Sequence, residues 1–399
     1  MNMRVEAQPT FSLDGDLLSN APFDEKLTRL HKKLRDQLGL PELGRIAVAT
    51  YDEDTDLLGV HAYSDILGKP LRLYSAPLSE VPSLQALASS GNARVIRDMY
   101  SLRSSRSAHT VALTQRYRSS LTIPIRRGSV FFGFIFFNSD RVNFFTPEVI
   151  ERLLPYGNLL AAITVADLDR FNTLRAAVQT TREIGNLRDD ETAGHLHRMA
   201  AYTRLIAVCL APKYDLTERW IDTLTHFAPL HDVGKIGVPD SILFKPGKLS
   251  GDELEVMKSH VEIGVHVVAT LLSNFSISDP LFASMLTNVV ACHHEAVDGS
   301  GYPKGLKGDA IPLEARIVSV ADIFDALTSA RPYKSAWTNQ EAFRYLRSLA
   351  GVRLDRDCVT ALTDHPDQVA EIEERFANGD DLIDYRPIHL PNPQVVTFG

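Results

Sequence analysis

Eight of the chain's thirteen histidines fall between His195 and His294, in a stretch whose apolar spacing is helical almost throughout. Several stand beside carboxylates. Glu191 and His195 in "ETAGHLHR" are i and i+4, a spacing that projects both side chains from one face of a helix. His231 and Asp232 open "HDVGK", where an apolar helix runs into a glycine, and His260 lies in "ELEVMKSHVEIG". His293 and His294 are adjacent in "ACHHEAVDGSGYP". Asp322 and Asp325 in "VADIFDALTS" are i and i+3, flanked by Val, Ile, Phe and Leu. A carboxylate in so apolar a helix needs a strong partner, and a metal ion is one candidate. A fold for this half has to bring these separated segments to one centre.

Five imidazoles and at least three carboxylates, with no thiolate motif, make up the set. Nitrogen and oxygen donors without sulfur suit Fe, Mn or Zn. The set exceeds what one ion uses, so a site of two or three metals is expected. Asp232 is placed to bridge, and bridged metals roughly 3.5–4 Å apart serve in-line phosphoryl displacement. Neighbouring residues on a helix point about 100° apart, so His293 and His294 are expected to serve different ions of one cluster. Lys235, three residues after Asp232, is expected to face a bound phosphate. Arg331 and Lys334 of "RPYK" follow the Asp322 helix and carry two cations towards the same cleft. The plain alternative for all three is a solvated cation. Asp325 is expected to support a ligand or to touch substrate, and not to be a ligand itself. His197, His226 and His266 read as core histidines, and Cys292 as a buried cysteine.

The first half has a different pattern. Apolar positions from Phe23 to Leu38 fall at helical spacing, and short β-like runs follow: "RIAVATYD", "LGVHAYS", "PLRLYSAPL". "SSLTIPIR" and "SVFFGFIFFNS" read as two strands joined by the turn at Arg126-Arg127-Gly128. Strands flanked by helices predict an α+β sensor-type domain. Thr146, Pro147 and Glu148 then give helix-start signals, and a connecting helix is predicted over 146–187, kinked or restarted at Pro155. Its apolar residues Leu160, Ile163, Leu168, Phe171, Leu174 and Val178 form either a dimer seam or a face packed on its own domain. Net charge −8 and pI about 5.9 argue against a nucleic-acid polymer as partner. Cys209, Cys292 and Cys358 are too few for a disulfide framework. The N-terminus lacks a signal-peptide pattern, and "VFFGFIFF" is too short to span a bilayer as a helix. A cytoplasmic protein without a membrane partner is expected.

Residues from about Gly185 to Phe376 resemble an HD-GYP phosphodiesterase domain, a subgroup of the HD metal-dependent phosphohydrolases. The resemblance runs through "ETAGHLHR", "HDVGKIGVPDSILFKPGKLS", "MKSHVEIG", "HHEAVDGSGYPKGLKG" and "IPLEARIVSVADIFDALTSARPYK". It implies an all-α HD-type helical bundle in which Glu191, His195, His231, Asp232, His260, His293, His294 and Asp322 bind two or three Fe or Mn ions. A glutamate at the place of Glu191 goes with the third metal. It further implies that Lys235, Arg331 and Lys334 hold the phosphates of a cyclic dinucleotide. Gly301, Tyr302 and Pro303 would line the cleft and offer a contact to partner diguanylate cyclases. The activity implied is hydrolysis of cyclic di-GMP to linear pGpG and on to GMP. Hydrolysis of 3′,3′-cyclic GMP-AMP, or a non-hydrolysing cyclic-dinucleotide receptor, are the alternatives. The chain departs from the family pattern at Ala193, at Val297, and at Leu354 and Arg356 around Asp355, none of them a ligand. Residues 21–165 resemble a GAF sensor domain in element order, with no haem, flavin or bilin attachment motif, and an unknown signal or partner is expected there. The expected organisation is multi-domain: lead-in 1–20, sensor domain 21–165, connecting helix, catalytic domain 185–376, tail 377–399, as a homodimer.

Overall fold

The computed structural model describes residues 21–53, 56–68, 75–102, 113–186, 193–275, 277, 279–329 and 336–376, with the backbone alone at 75, 178, 181–186 and 193. Glu191, Arg331 and Lys334, the lead-in and the tail lie outside the described residues. The chain divides into two compact units at Thr164/Val165, with Tyr51–Gly59 and Leu73–Val81 counted in the second.

The N-terminal part is α+β. Helix α1 (Phe23–Asp36) buries Phe23, Leu27, Leu30, His31 and Leu34, the one-sided stripe of a 3.6-residue period. Strands β1 (Leu43–Asp52), β2 (Leu57–Asp65), β3 (Ser75–Pro77), β4 (Arg94–Ile96), β5 (Ser119–Arg127) and β6 (Val130–Ser139) form one sheet in the order β3-β2-β1-β6-β5-β4, with α2 (Pro82–Ser90) between β3 and β4. The predicted hairpin is the antiparallel β5–β6 pair, with Leu121 opposite Phe137 and Ile123 opposite Ile135. Gly128 takes φ 64° at its turn.

Helix α3 (Pro147–Asn186) runs unbroken through Pro155, where the sequence predicts a kink or restart. Pro155 lies on the exposed side, where a helix tolerates the lost hydrogen bond best. Thr146 Oγ1 accepts from Val149 N at 3.3 Å, as a capping residue does. Part of the apolar stripe is spent inside the chain. Leu160 is buried, and Phe171 and Leu174 join the helical core, with Phe171 5.4 Å from the Phe282 ring. Of the two readings of the stripe, the Phe171 ring follows the packed face: it has partners within its own chain. Among the described residues, Pro147–Ala177 is long and apolar enough to cross a membrane by length and composition. Asp167 in that stretch pairs with Arg219, and Leu174 is fully buried.

The C-terminal unit is helical: α4 (Ala193–Tyr214), α5 (Glu218–Phe227), α6 (Asp240–Leu243), α7 (Gly251–Lys258), α8 (His260–Asn274), α9 (Pro280–Cys292), α10 (Leu313–Thr328), α11 (Asn339–Leu349), α12 (Arg356–Thr363) and α13 (Pro366–Phe376). Its core gathers Tyr202, Leu205, Phe227, Phe282, Leu286, Phe324 and Leu346, among others, each such side chain contributing about 1.5–3 kcal/mol on burial. Helix α9 shows how the core places the chemistry. Asp279 caps its start by accepting from Leu281 N and Phe282 N, and Pro280 follows at the first position. Phe282, Met285, Leu286, Val289 and Val290 are buried along one face, and the helix stops at Cys292, which leaves His293 as its C-cap.

Candidate metal centre

Among the described residues, seven side chains fall into two groups whose donor atoms lie within 4.8 Å of one another: Asp232 with His260, His293 and His294, and His195 with His231 and Asp322. Asp232 faces both. Its Oδ1 lies 3.2 Å from His260 Nε2 and 3.4 Å from His293 Nε2, while Oδ2 lies 3.3 Å from His231 Nε2. His231 Nε2 is also 3.8 Å from Asp322 Oδ1.

The backbone sets which imidazole nitrogen faces inward. His231 Nδ1 donates to Ala228 O at 3.0 Å, His260 Nδ1 to Met257 O at 2.7 Å, and His293 Nδ1 to Val289 O and Val290 O at 3.1 Å. A carbonyl only accepts, so Nδ1 carries the proton and Nε2 of the neutral ring is the lone-pair nitrogen. His195 Nδ1 likewise pairs with Asp325 Oδ2 at 2.6 Å. For His260 and His293, Nε2 then points its lone pair at Asp232 Oδ1, itself an acceptor, and buried acceptors face one another without a proton between them. A cation at that point turns mutual repulsion into coordination, and imidazoles held by backbone carbonyls are oriented as metal ligands are. The donor set fits a metal. Iron, manganese and zinc all accept such N and O ligands.

The electrostatics agree. Burial lowers the His293 pKa, and His294 is lowered to about 2 by burial and then by neighbouring His293. Both rings are neutral at neutral pH, the form in which an imidazole can bind a metal. Burial alone would raise Asp232, yet the Lys235 ammonium beside it holds it well below the usual carboxylate range. Lys235 Nζ is 2.9 Å from Asp232 Oδ2. The Cys292 thiol, pushed up by burial, sits with Ile311 and Ala315 and belongs to neither donor group.

A pH dependence follows. Elsewhere in this unit, buried His226 is lowered to about 4. The fold keeps His226 and His294 neutral while the unfolded chain protonates them below about 6.5. The unfolded state then binds more protons, so stability is full above that pH and falls as pH drops through the window down to each folded value. Metal-free protein is expected to melt lower at about pH 5 than at about pH 7.5 in a thermal scan; equal melting would contradict the burial of these rings.

Several expectations need correction. His293 and His294 were expected to serve different ions, but both belong to the four-residue group, their rings 4.0 Å apart. The helix ends at Cys292 with His293 as its C-cap, and the two adjacent rings fall in one group. Asp325 does not touch a cleft: it is fully buried behind His195, so the substrate contact is withdrawn and the supporting role fits. His266 is exposed and not in the core, whereas His197 is buried against Phe376 and His226 packs edge-on to Phe171.

Tyr302 stacks on His294, ring centroids 4.6 Å apart, and Lys258 Nζ lies 5.4 Å from the Tyr302 ring. Gly301 leaves no room for a side chain, since a Cβ there would meet Ala296 N at 2.3 Å. Pro303 follows Tyr302 across a cis peptide bond. Sequence reasoning missed Glu295, whose buried carboxylate accepts from Lys304 N at 2.8 Å and Leu306 N at 2.9 Å and pins the loop. It also missed Arg198, which grips Asp325 with two nitrogens. Of the departures, Val297 packs beside Cys292 and Ile311, Leu354 is in the core, and Asp355 caps α12.

Residues 186–358 match the HD domain family. Over 190 residues the chain is 46% identical to the cyclic di-GMP phosphodiesterase response regulator RpfG of Xanthomonas campestris pv. campestris (strain 8004), covering 48% of this chain and 47% of that protein. It is 37% identical over 205 residues to 3'3'-cGAMP-specific phosphodiesterase 2 of Vibrio cholerae serotype O1, covering 51% and 37%. The chain thus spans about half the length, or less, of these curated relatives. The crystal structure of the phycocyanobilin-bound GAF domain from a cyanobacterial phytochrome aligns with 40% of this chain and 98% of its own, at TM-score 0.30 and 18% identity. The helical stretch that gathers the two donor groups lies within the residues that match the HD domain family.

Proposed function

We propose that the protein is a metal-dependent phosphodiesterase that hydrolyses cyclic di-GMP to linear pGpG and on to GMP, regulated by a GAF-like N-terminal sensor unit. The observation that carries this reading is the division of Asp232, one oxygen towards each donor group. Metals bound there would activate water and neutralise charge building on a phosphate. The four-residue group would hold one ion and the His195 group another, with Fe or Mn as the proposed metals and Glu191 as ligand to a third. Lys235 presents an ammonium beside Asp232, where it would take a phosphate oxygen by a charge-assisted hydrogen bond. Tyr302, stacked on His294, would wall the cleft with Gly301 and Pro303, and the loop would offer a face to a diguanylate cyclase. Arg331 and Lys334 are proposed to hold the phosphate that the metals do not. We place the protein in the cytoplasm, in keeping with its three free cysteines among the described residues.

A second reading, hydrolysis of 3′,3′-cyclic GMP-AMP, is favoured by the cGAMP-specific relative and by a site whose named residues meet phosphates and metals, not bases. The test is turnover of both dinucleotides by the full chain loaded with Mn or Fe. Hydrolysis lost on chelation is expected, with cyclic di-GMP ahead in kcat/KM. Tight binding without turnover would make the protein a receptor and overturn the proposal.

A further inference from the structure

Arg198 on α4 reaches no donor group, yet it is tied to one through a single buried carboxylate. Its Nε donates to Asp325 Oδ1 at 2.7 Å, and its Nη2 to Asp325 Oδ2 at 3.0 Å and to Ser329 Oγ at 2.7 Å. Ser329 Oγ donates in turn to Asp325 Oδ2 at 2.9 Å. On the far side, Asp325 Oδ2 accepts the hydrogen bond of His195 Nδ1–H at 2.6 Å. Asp325 has no exposed surface. Its position is fixed by these three residues, and the parallel bonds of the guanidinium fork fix its plane.

We propose that Arg198 is a positioning residue for the His195–His231–Asp322 group: by locking Asp325 it fixes the tautomer and ring angle of His195, and so sets the affinity of that one ion site. The inference rests on the metal-centre reading above. The second group has a different support, because His260 and His293 are oriented by backbone carbonyls, which no side-chain substitution at 198 can alter. Two sites built side by side thus depend on Arg198 unequally. Without the fork, Asp325 is a buried carboxylate left to Ser329 and His195, and it is free to turn or to draw the proton from His195. Either change misaims Nε2.

The test is manganese binding to full-length, metal-stripped protein by equilibrium dialysis in two backgrounds. His260→Ala disables the four-residue group, and Asp322→Ala disables the His195 group. Adding Arg198→Gln is expected to weaken the site left in the His260→Ala background by about 10- to 100-fold, the usual cost of losing an outer-shell partner. The site left in the Asp322→Ala background should be unchanged. Arg198→Lys, which keeps the charge without the fork, should give an intermediate loss, and it carries the test if Arg198→Gln does not fold. Nitrogen-15 spectra of the metal-free protein add an independent readout, with His195 a single Nδ1–H tautomer in wild type and mixed in the variant. Equal weakening in both backgrounds, or none in either, overturns the proposal. Wild-type protein that binds no manganese overturns the metal-centre reading, and this inference with it.

Discussion

Asp232→Ala is expected to lower turnover of a cyclic dinucleotide by at least about a thousandfold, a barrier increase of about 4 kcal/mol. The size follows from geometry. Each other candidate ligand belongs to one donor group, whereas the oxygens of Asp232 lie 3.2 and 3.4 Å from the His260 and His293 nitrogens on one side and 3.3 Å from His231 on the other. Removing it weakens both groups together and leaves Lys235 without its 2.9 Å partner. Metal content should drop with activity, while His260→Ala should affect one group alone. A circular-dichroism melt checks that the fold survives. Activity within about tenfold of wild type, a change of only about 1.4 kcal/mol, would contradict a shared role for this carboxylate.

Gly234→Ala is expected to be the most damaging single-methyl change to the fold near the site. The HDVGK turn passes so close to the start of α8 that a Cβ at 234 would lie 1.8 Å from His260 O and 2.4 Å from Gly264 N. Both are backbone atoms and cannot swing aside. The turn and α8 must separate, and with them Asp232 and His260. Overpacking costs typically about 1–3 kcal/mol and more against backbone; at 3 kcal/mol a domain of this size loses about 6–12 °C in melting temperature. The variant should also lose metal at the four-residue group. A melting temperature within about 2 °C of wild type, with full metal content, would show that the close approach is not needed.

The donor types and their spacing were legible because they are local: histidine and carboxylate fall at helical offsets or in adjacent pairs, and apolar periodicity gives the helices that carry them. What could not be read is set by contacts distant in sequence. Arg198 and Asp325 are 127 residues apart, and nothing near Arg198 marks it as other than a solvated cation on a helix. Gly234 reads as a helix stop, and only the approach of α8 shows why no other residue fits. The stripe on α3 was compatible with a seam or a core face, and Phe171 and Leu174 lie on a core face. His293 and His294 fall in one donor group, a pairing that their adjacency in sequence does not show. The α+β character of the first part was readable from alternation, while the three-residue strands β3 and β4 are too short to leave a periodic signal.

Anomalous diffraction from crystals of the manganese-loaded protein, collected on both sides of the manganese edge, tests the central claim most directly. The account calls for at least two peaks flanking Asp232, one among His260, His293 and His294 and one among His195, His231 and Asp322. A single peak, or peaks that leave either oxygen of Asp232 without a metal, would contradict it.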